Sequence, residues 1–136
     1  MGFCFFNNVA VAAKYALQRY NLHRVAVVDF DVHHGNGTED ILAGDSRALM
    51  VSIFQHPFYP YSGDVDPAPN MVNVPVAAYT RGMDIREIIE MMWIPRLEAF
   101  KPEMIFVSAG FDAHREDDMG QLGLTEQDYT WITQRI

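Results

Sequence analysis

The stretch Val25 to Asp31, VAVVDFD, is a nearly unbroken apolar run that ends in Asp-x-Asp and leads into His33-His34-Gly35-Asn36-Gly37. Strands buried on both faces of a parallel sheet read this way, whereas a strand with one wet face alternates. Ala48 to Phe54 (ALMVSIF) and Met104 to Phe111 (MIFVSAGF) repeat the pattern, and Met71 to Val76 is a weaker strand signal. Helices are expected between these runs. Asn7 or Asn8 can cap a helix to about Tyr20, with Val9, Ala13, Ala16 and Tyr20 on one face. Asp84 and Glu87 have capping-box spacing ahead of an apolar stripe of Ile85, Ile88, Ile89 and Met92, and Pro95 should kink or restart that helix. Thr125 and Asp128 open a final helix. Strands alternating with helices predict an α/β fold around a mainly parallel sheet.

The length of 136 residues suits one domain. A single cysteine, Cys4, excludes an internal disulfide framework and a cysteine-rich zinc module. A formal net charge of −8 argues against direct nucleic-acid binding, which wants a basic stripe, and no apolar run reaches the ~20 residues of a membrane span. The N-terminus lacks the basic start of a signal peptide, so a cytoplasmic, or nuclear, location is expected. The chain begins on apolar residues and ends inside a helix, which reads as a piece of a larger domain. Parallel strands left unpaired at its edges would favour self-association.

The chemistry concentrates at two strand ends. Asp29, Asp31 and His33 follow one another at two-residue spacing, which places their side chains on one side while the chain stays extended. Asp112 closes the last apolar run in Ser108-Ala109-Gly110-Phe111-Asp112. Ligands in open α/β sheets bind beyond the C-terminal ends of strands. Asp31, His33 and Asp112 would then form a one-histidine, two-carboxylate site, and three protein ligands with an open position is the pattern of catalytic zinc. Taken singly, Asp-x-Asp is as readily a turn former and a histidine beside glycines a surface residue; the coincidence at two strand ends favours a metal. Cys4 reads as a buried small hydrophobe rather than a nucleophile, and His23 and His56 have no spaced partners. His114 reads as a loop residue, Glu116-Asp117-Asp118 as a solvated turn, and Phe58, Tyr59 and Tyr61 as a groove lining or a sheet cover within the long loop from Gln55 to Asn70.

These motifs resemble the histone deacetylase family, in particular its class II and bacterial amidohydrolase-like branch. The resemblance rests on GFCFFNNVAVAA (2–13), VAVVDFDVHHGNGTEDIL (25–42), VSIF (51–54), FYPYSGD (58–64), FKPEMIFVSAGFDAH (100–114) and LGLTEQDY (122–129), in the family's order. It implies an arginase-like open three-layer sandwich around an eight-stranded, mainly parallel sheet, of which residues 1–136 form a single partial domain truncated at both ends. It implies zinc at Asp31, His33 and Asp112, and a structural potassium ion held in part by Asp29 and Ser52. Gly2 and Phe3 match one wall of an acyl-lysine tunnel, with Tyr59 where the family usually has the facing Phe. Asp29 and Asn36 match the orienters of a catalytic His-His pair; the Asn is a class II feature. That pair belongs upstream of GFC and the carbonyl-polarising Tyr downstream of Ile136, so little or no activity is expected of these residues alone. The implied reaction is hydrolysis of an acetyl amide of lysine or a similar small amine.

Two other functions compete. VAVVDFDV also looks like the first motif of haloacid-dehalogenase-type phosphatases, with Asp29 as nucleophile, Asp31 as acid/base, Ser52 on phosphate, Mg²⁺, and Lys101 with Asp117 or Asp118 completing the set. That scheme leaves His33, His34 and Asp112 without a task. A non-catalytic metal-binding or interaction module is the third reading.

Overall fold

A computed structural model describes residues 4–136. The elements run α1 (Asn8–Arg19), β1 (Val25–Asp29), α2 (Asn36–Leu42), β2 (Ala48–Gln55), β3 (Met71–Val76), α3 (Gly82–Ile88), a π-helical turn (Ile89–Trp93), α4 (Ile94–Phe100), β4 (Met104–Ser108) and α5 (Glu126–Arg135). The strands form one parallel sheet in the order β3-β2-β1-β4. After β1 the chain builds outward through β2 and β3, then returns to add β4 on the other side of β1. This reversal creates a crevice between the C-terminal ends of β1 and β4, where open α/β sheets bind their ligands.

Each face of the sheet carries its own core. Val25 and Val27 of β1 pack with Ala13, Ala16 and Leu17 of α1 and Leu42 of α2. Ala26 and Val28, pointing the other way, pack with Ile85, Ile89, Trp93, Leu97 and Ile132 from the helices of the opposite layer. The result is the expected three-layer α/β arrangement, here with four strands. Among the described residues, no helix is long and apolar enough to cross a membrane.

Several local expectations need correction. The Asn7 carboxamide caps α1 by accepting from Ala10 N–H at 2.9 Å, but the buried face is Ala10, Ala13, Ala16 and Leu17, while Val9 is half-buried and Tyr20 exposed. Three alanines on that face let the helix lie close to the sheet, with Leu17 buried and Val9 packed at the edge of the same core. Asp84 acts as the third residue of α3 rather than its cap, accepting from Arg81 N–H at 3.2 Å. The buried stripe runs Ile85, Ile89, Trp93, and Met92 is exposed. The π turn supplies the reason: it inserts an extra residue just before Pro95, which has no N–H to donate and whose ring would press on the carbonyl four residues back. β4 is half-exposed rather than buried, because it is an outer strand of the four. Finally, β1 stops at Asp29 and β4 at Ser108, so Asp31, His33 and Asp112 lie on the turns beyond.

Candidate metal centre

The turn after β1 is folded by its own carboxylates. Asp29 Oδ1 accepts from Asp31 N–H at 3.1 Å, and Asp31 Oδ1 accepts from His33 N–H at 2.8 Å. Each is an Asx-type bond to the backbone two residues on, which is why the chain leaves the extended conformation expected for it. From the neighbouring strand end, Asp112 Oδ1 accepts from Val32 N–H at 3.0 Å and ties the two turns together. His33 Nδ1 thereby sits 3.0 Å from Asp31 Oδ1 and 3.0 Å from Asp112 Oδ2. The ligand atoms offered by Asp31, His33 and Asp112 all lie within 4.8 Å of one another, and all three residues are partly buried.

This donor set fits a divalent ion. Two carboxylates and an imidazole, converging at a partly buried crevice with one side open, match three-ligand catalytic zinc. Without a cation the arrangement is costly: burial raises Asp112, and the nearby Asp31 charge pushes it the same way against the Val32 N–H. Gly110 makes room for the cluster, since a Cβ there would overlap the Asp31 carboxylate.

Asp29 does not join the three. It is buried on β1, where its register partner is Ser52 of β2. Burial pushes the Asp29 carboxyl up to about 7, and the nearby Asp31 charge adds to this while Asp31 N–H opposes it. Asp29 Oδ2 and Ser52 Oγ are both buried without a hydrogen-bond partner. Two buried, unpartnered oxygens on adjacent strands are uncommon in a folded interior, where nearly all polar atoms find a partner. A Cβ at Gly35 would come within 2.6 Å of Asp29 Oδ2, so this spot too depends on a glycine.

A cleft of about 680 Å³ opens beside Asp31, lined by Asn36 and Gly110 together with Phe5, Phe6 and Val107. Asn36, expected near the reaction, is exposed in this cleft. Tyr59 stands edge-on to the His33 ring with centroids 6.4 Å apart, and Phe58 stacks on the same ring at 5.3 Å. Gly2 and Phe3 lie outside the described residues. His34, given no role from sequence, is buried with both ring nitrogens engaged, by Glu39 five residues on and by Ser62 far along the chain. Lys101 sits at the end of α4, where its carbonyl accepts from Arg24 just ahead of β1. That is the opposite end of the sheet from Asp29, so the phosphatase scheme loses its lysine.

The histone deacetylase domain model matches residues 1–136. The chain belongs to the histone deacetylase family. Type-2 histone deacetylase 2 of Dictyostelium discoideum is 44% identical over 99% of this chain and 9% of its own length. A probable deacetylase of Methanothermobacter thermautotrophicus is 41% identical over 97% of this chain and 42% of its own length. Among solved structures, the HDA15 HD domain superposes with a TM-score of 0.93 at 37% identity, covering 99% of this chain and 42% of that one. An acetylpolyamine aminohydrolase from Burkholderia pseudomallei follows with a TM-score of 0.87 at 32% identity, over 96% of this chain and 40% of that one. This deacetylase-family chain therefore spans less than half the length of these relatives. The family match also leaves the phosphatase alternative without support.

Proposed function

We propose that this chain supplies the metal-binding half of a deacetylase site that hydrolyses the acetyl amide of lysine or of a similar small amine. The observation that carries the reading is the convergence of Asp31, His33 and Asp112 from two strand ends at the sheet's crevice. These three residues would hold zinc, which when bound supplies Lewis acidity to an amide carbonyl and to a water.

The chain's own groups then have separable tasks. Asp31 and Asp112 bring negative charge to the ion while their second oxygens or backbone contacts fix the turns. Phe58 and Tyr59 pack about His33, so an acyl-lysine stem would run beside apolar ring faces. Asn36, which lines the cleft beside Asp31, would orient a catalytic histidine, and Asp29 with Ser52 would hold a monovalent cation, a reading supported by their two unpartnered buried oxygens. The acid–base groups that would move protons are not among these residues, and such groups contribute typically ~10²–10⁴-fold. An acetylpolyamine fits the acidic net charge as well as a protein substrate does.

Metal analysis of the purified chain tests the reading. About one zinc per chain is expected, lost in His33→Ala and in Asp112→Ala, with turnover of an acetyl-lysine reporter by the 136-residue chain far below that of a full-length relative. A wild-type chain that binds no zinc at micromolar metal, or variants that bind it equally well, would overturn it.

A further inference from the structure

His33 and His34 are adjacent, yet they serve opposite sides of the turn. His34 is 3% exposed, and its ring packs on Phe54 with centroids 4.7 Å apart. Its Nε2 lies 2.6 Å from Glu39 Oε2 and its Nδ1 2.8 Å from Ser62 Oγ. A carboxylate only accepts, so Nε2 carries the proton, and in the neutral ring Nδ1 accepts from the Ser62 hydroxyl. Asn73 completes a ring, its Nδ2 donating to the same Glu39 oxygen at 2.8 Å and to Gly63 O at 3.1 Å. The loop reaches this closely because residue 63 is glycine, at φ +90°, with space for a Cβ already filled by the His34 ring 2.6 Å away.

The ring joins four places: the turn after β1, helix α2, strand β3, and the middle of the long loop. That loop carries Phe58 and Tyr59, four and three residues before Ser62, against His33. Loops without regular structure are ordinarily the mobile part of a domain. Here Ser62 Oγ bonds the His34 ring of the turn after β1, Gly63 O accepts from Asn73 of β3, and Asp64 pairs with His56 at 3.3 Å.

We propose that the ring of Ser62, His34, Glu39 and Asn73 is a positioning device that holds Phe58 and Tyr59 in register with the metal ligand His33, and so fixes the width of the acyl-lysine site. The acyl-lysine part rests on the function proposed above; the loop-holding part does not. His34 and Glu39 touch neither substrate nor metal in this scheme. They act through the loop, while the neighbouring residue acts on the ion, so the same dipeptide sets the distance between the metal and its aromatic surround.

The test compares the zinc-loaded wild-type chain with Ser62→Ala, Asn73→Leu and Ser62→Thr. Three quantities are read: hydrogen exchange of amides 58–64, zinc affinity by chelator competition, and affinity for an acetyl-lysine peptide. Ser62→Ala and Asn73→Leu should speed exchange roughly three- to tenfold and weaken peptide binding by a similar factor, the worth of one hydrogen bond. Zinc affinity should stay within about twofold by the same scale, and Ser62→Thr, which keeps the hydroxyl, should restore both. Unchanged exchange overturns the proposal. A parallel loss of zinc affinity also overturns it, because the ring would then be holding His33 rather than the loop. A wild-type chain that binds zinc but no acetyl-lysine peptide defeats the function reading, and the exchange data still decide whether the ring holds the loop.

Discussion

Gly110, on β4's exit turn, lies so close to Asp31, on β1's, that the Asp31 carboxylate occupies the place a Cβ would take. The contact crosses the crevice where the strand order reverses, so the spacing of the two turns and the position of a metal ligand are set by the same absent methyl group.

Replacing that glycine should therefore act on the metal. Asp31 cannot simply swing aside, because its Oδ1 already holds His33 N–H at 2.8 Å. Gly110→Ala is expected to lower zinc affinity by about 10- to 100-fold, the range for residues that orient ligands. Chelator competition measures it, with circular dichroism checking that the sheet persists; wild-type affinity in a folded variant would contradict the argument.

The orphaned pair of Asp29 Oδ2 and Ser52 Oγ makes a prediction about salt identity. At fixed ionic strength, exchanging a bulky organic cation for potassium should raise the melting temperature, following RT ln(1 + [K⁺]/Kd), about 2.7 kcal/mol at a hundredfold excess over Kd. Asp29→Asn, which removes the charge and keeps the shape, should abolish the dependence. Equal melting temperatures in both salts for the wild type would count against a cation there.

Arg86 and Asp128 bind α3 to α5, 2.6 Å apart. Burial works to raise the Asp128 carboxyl but is outweighed by the Thr125 hydroxyl and N–H and by Arg86, so its value is held below the ordinary one. A depressed carboxyl stabilises the fold above the unfolded value of about 3.9, and that contribution disappears as pH falls through the folded value. Asp128→Asn should cost about 1–3 kcal/mol near pH 7. Urea denaturation should show the gap closing toward pH 3, whereas a gap independent of pH would assign the effect to packing.

Trp93 is fully buried under the sheet, with its indole N–H unpartnered. Trp93→Ala should destabilise by about 3–5 kcal/mol through the cavity it leaves. Met92→Ala, one residue earlier and exposed, should stay within about 0.5 kcal/mol. Equal costs for the two would mean that the π turn does not set which residue faces the core.

Much of the architecture was legible in the order of residues. The unbroken runs at 25, 48 and 104 became β1, β2 and β4, and the weaker one at 71 became β3 with the expected bounds. Residues whose signal is their own apolarity or capping chemistry, such as Asn7 and Thr125, acted as expected. Met92 and Tyr20 did not, because a regular helical period ignores the π turn before Pro95 and Tyr20 is already the residue at which α1 ends.

The sequence alone determined a parallel α/β sheet and delivered Asp31, His33 and Asp112 to strand ends, because burial on both faces and turn-forming carboxylates are properties of short stretches of chain. Only the tertiary structure decided that β4 lies beside β1, which brings Asp112 to His33, and that His34 closes a ring with Glu39, Ser62 and Asn73. Except for His34 and Glu39, five residues apart, those choices join residues tens of positions apart. Their cause is the packing of whole layers and the pairing of buried polar atoms, which no local pattern encodes.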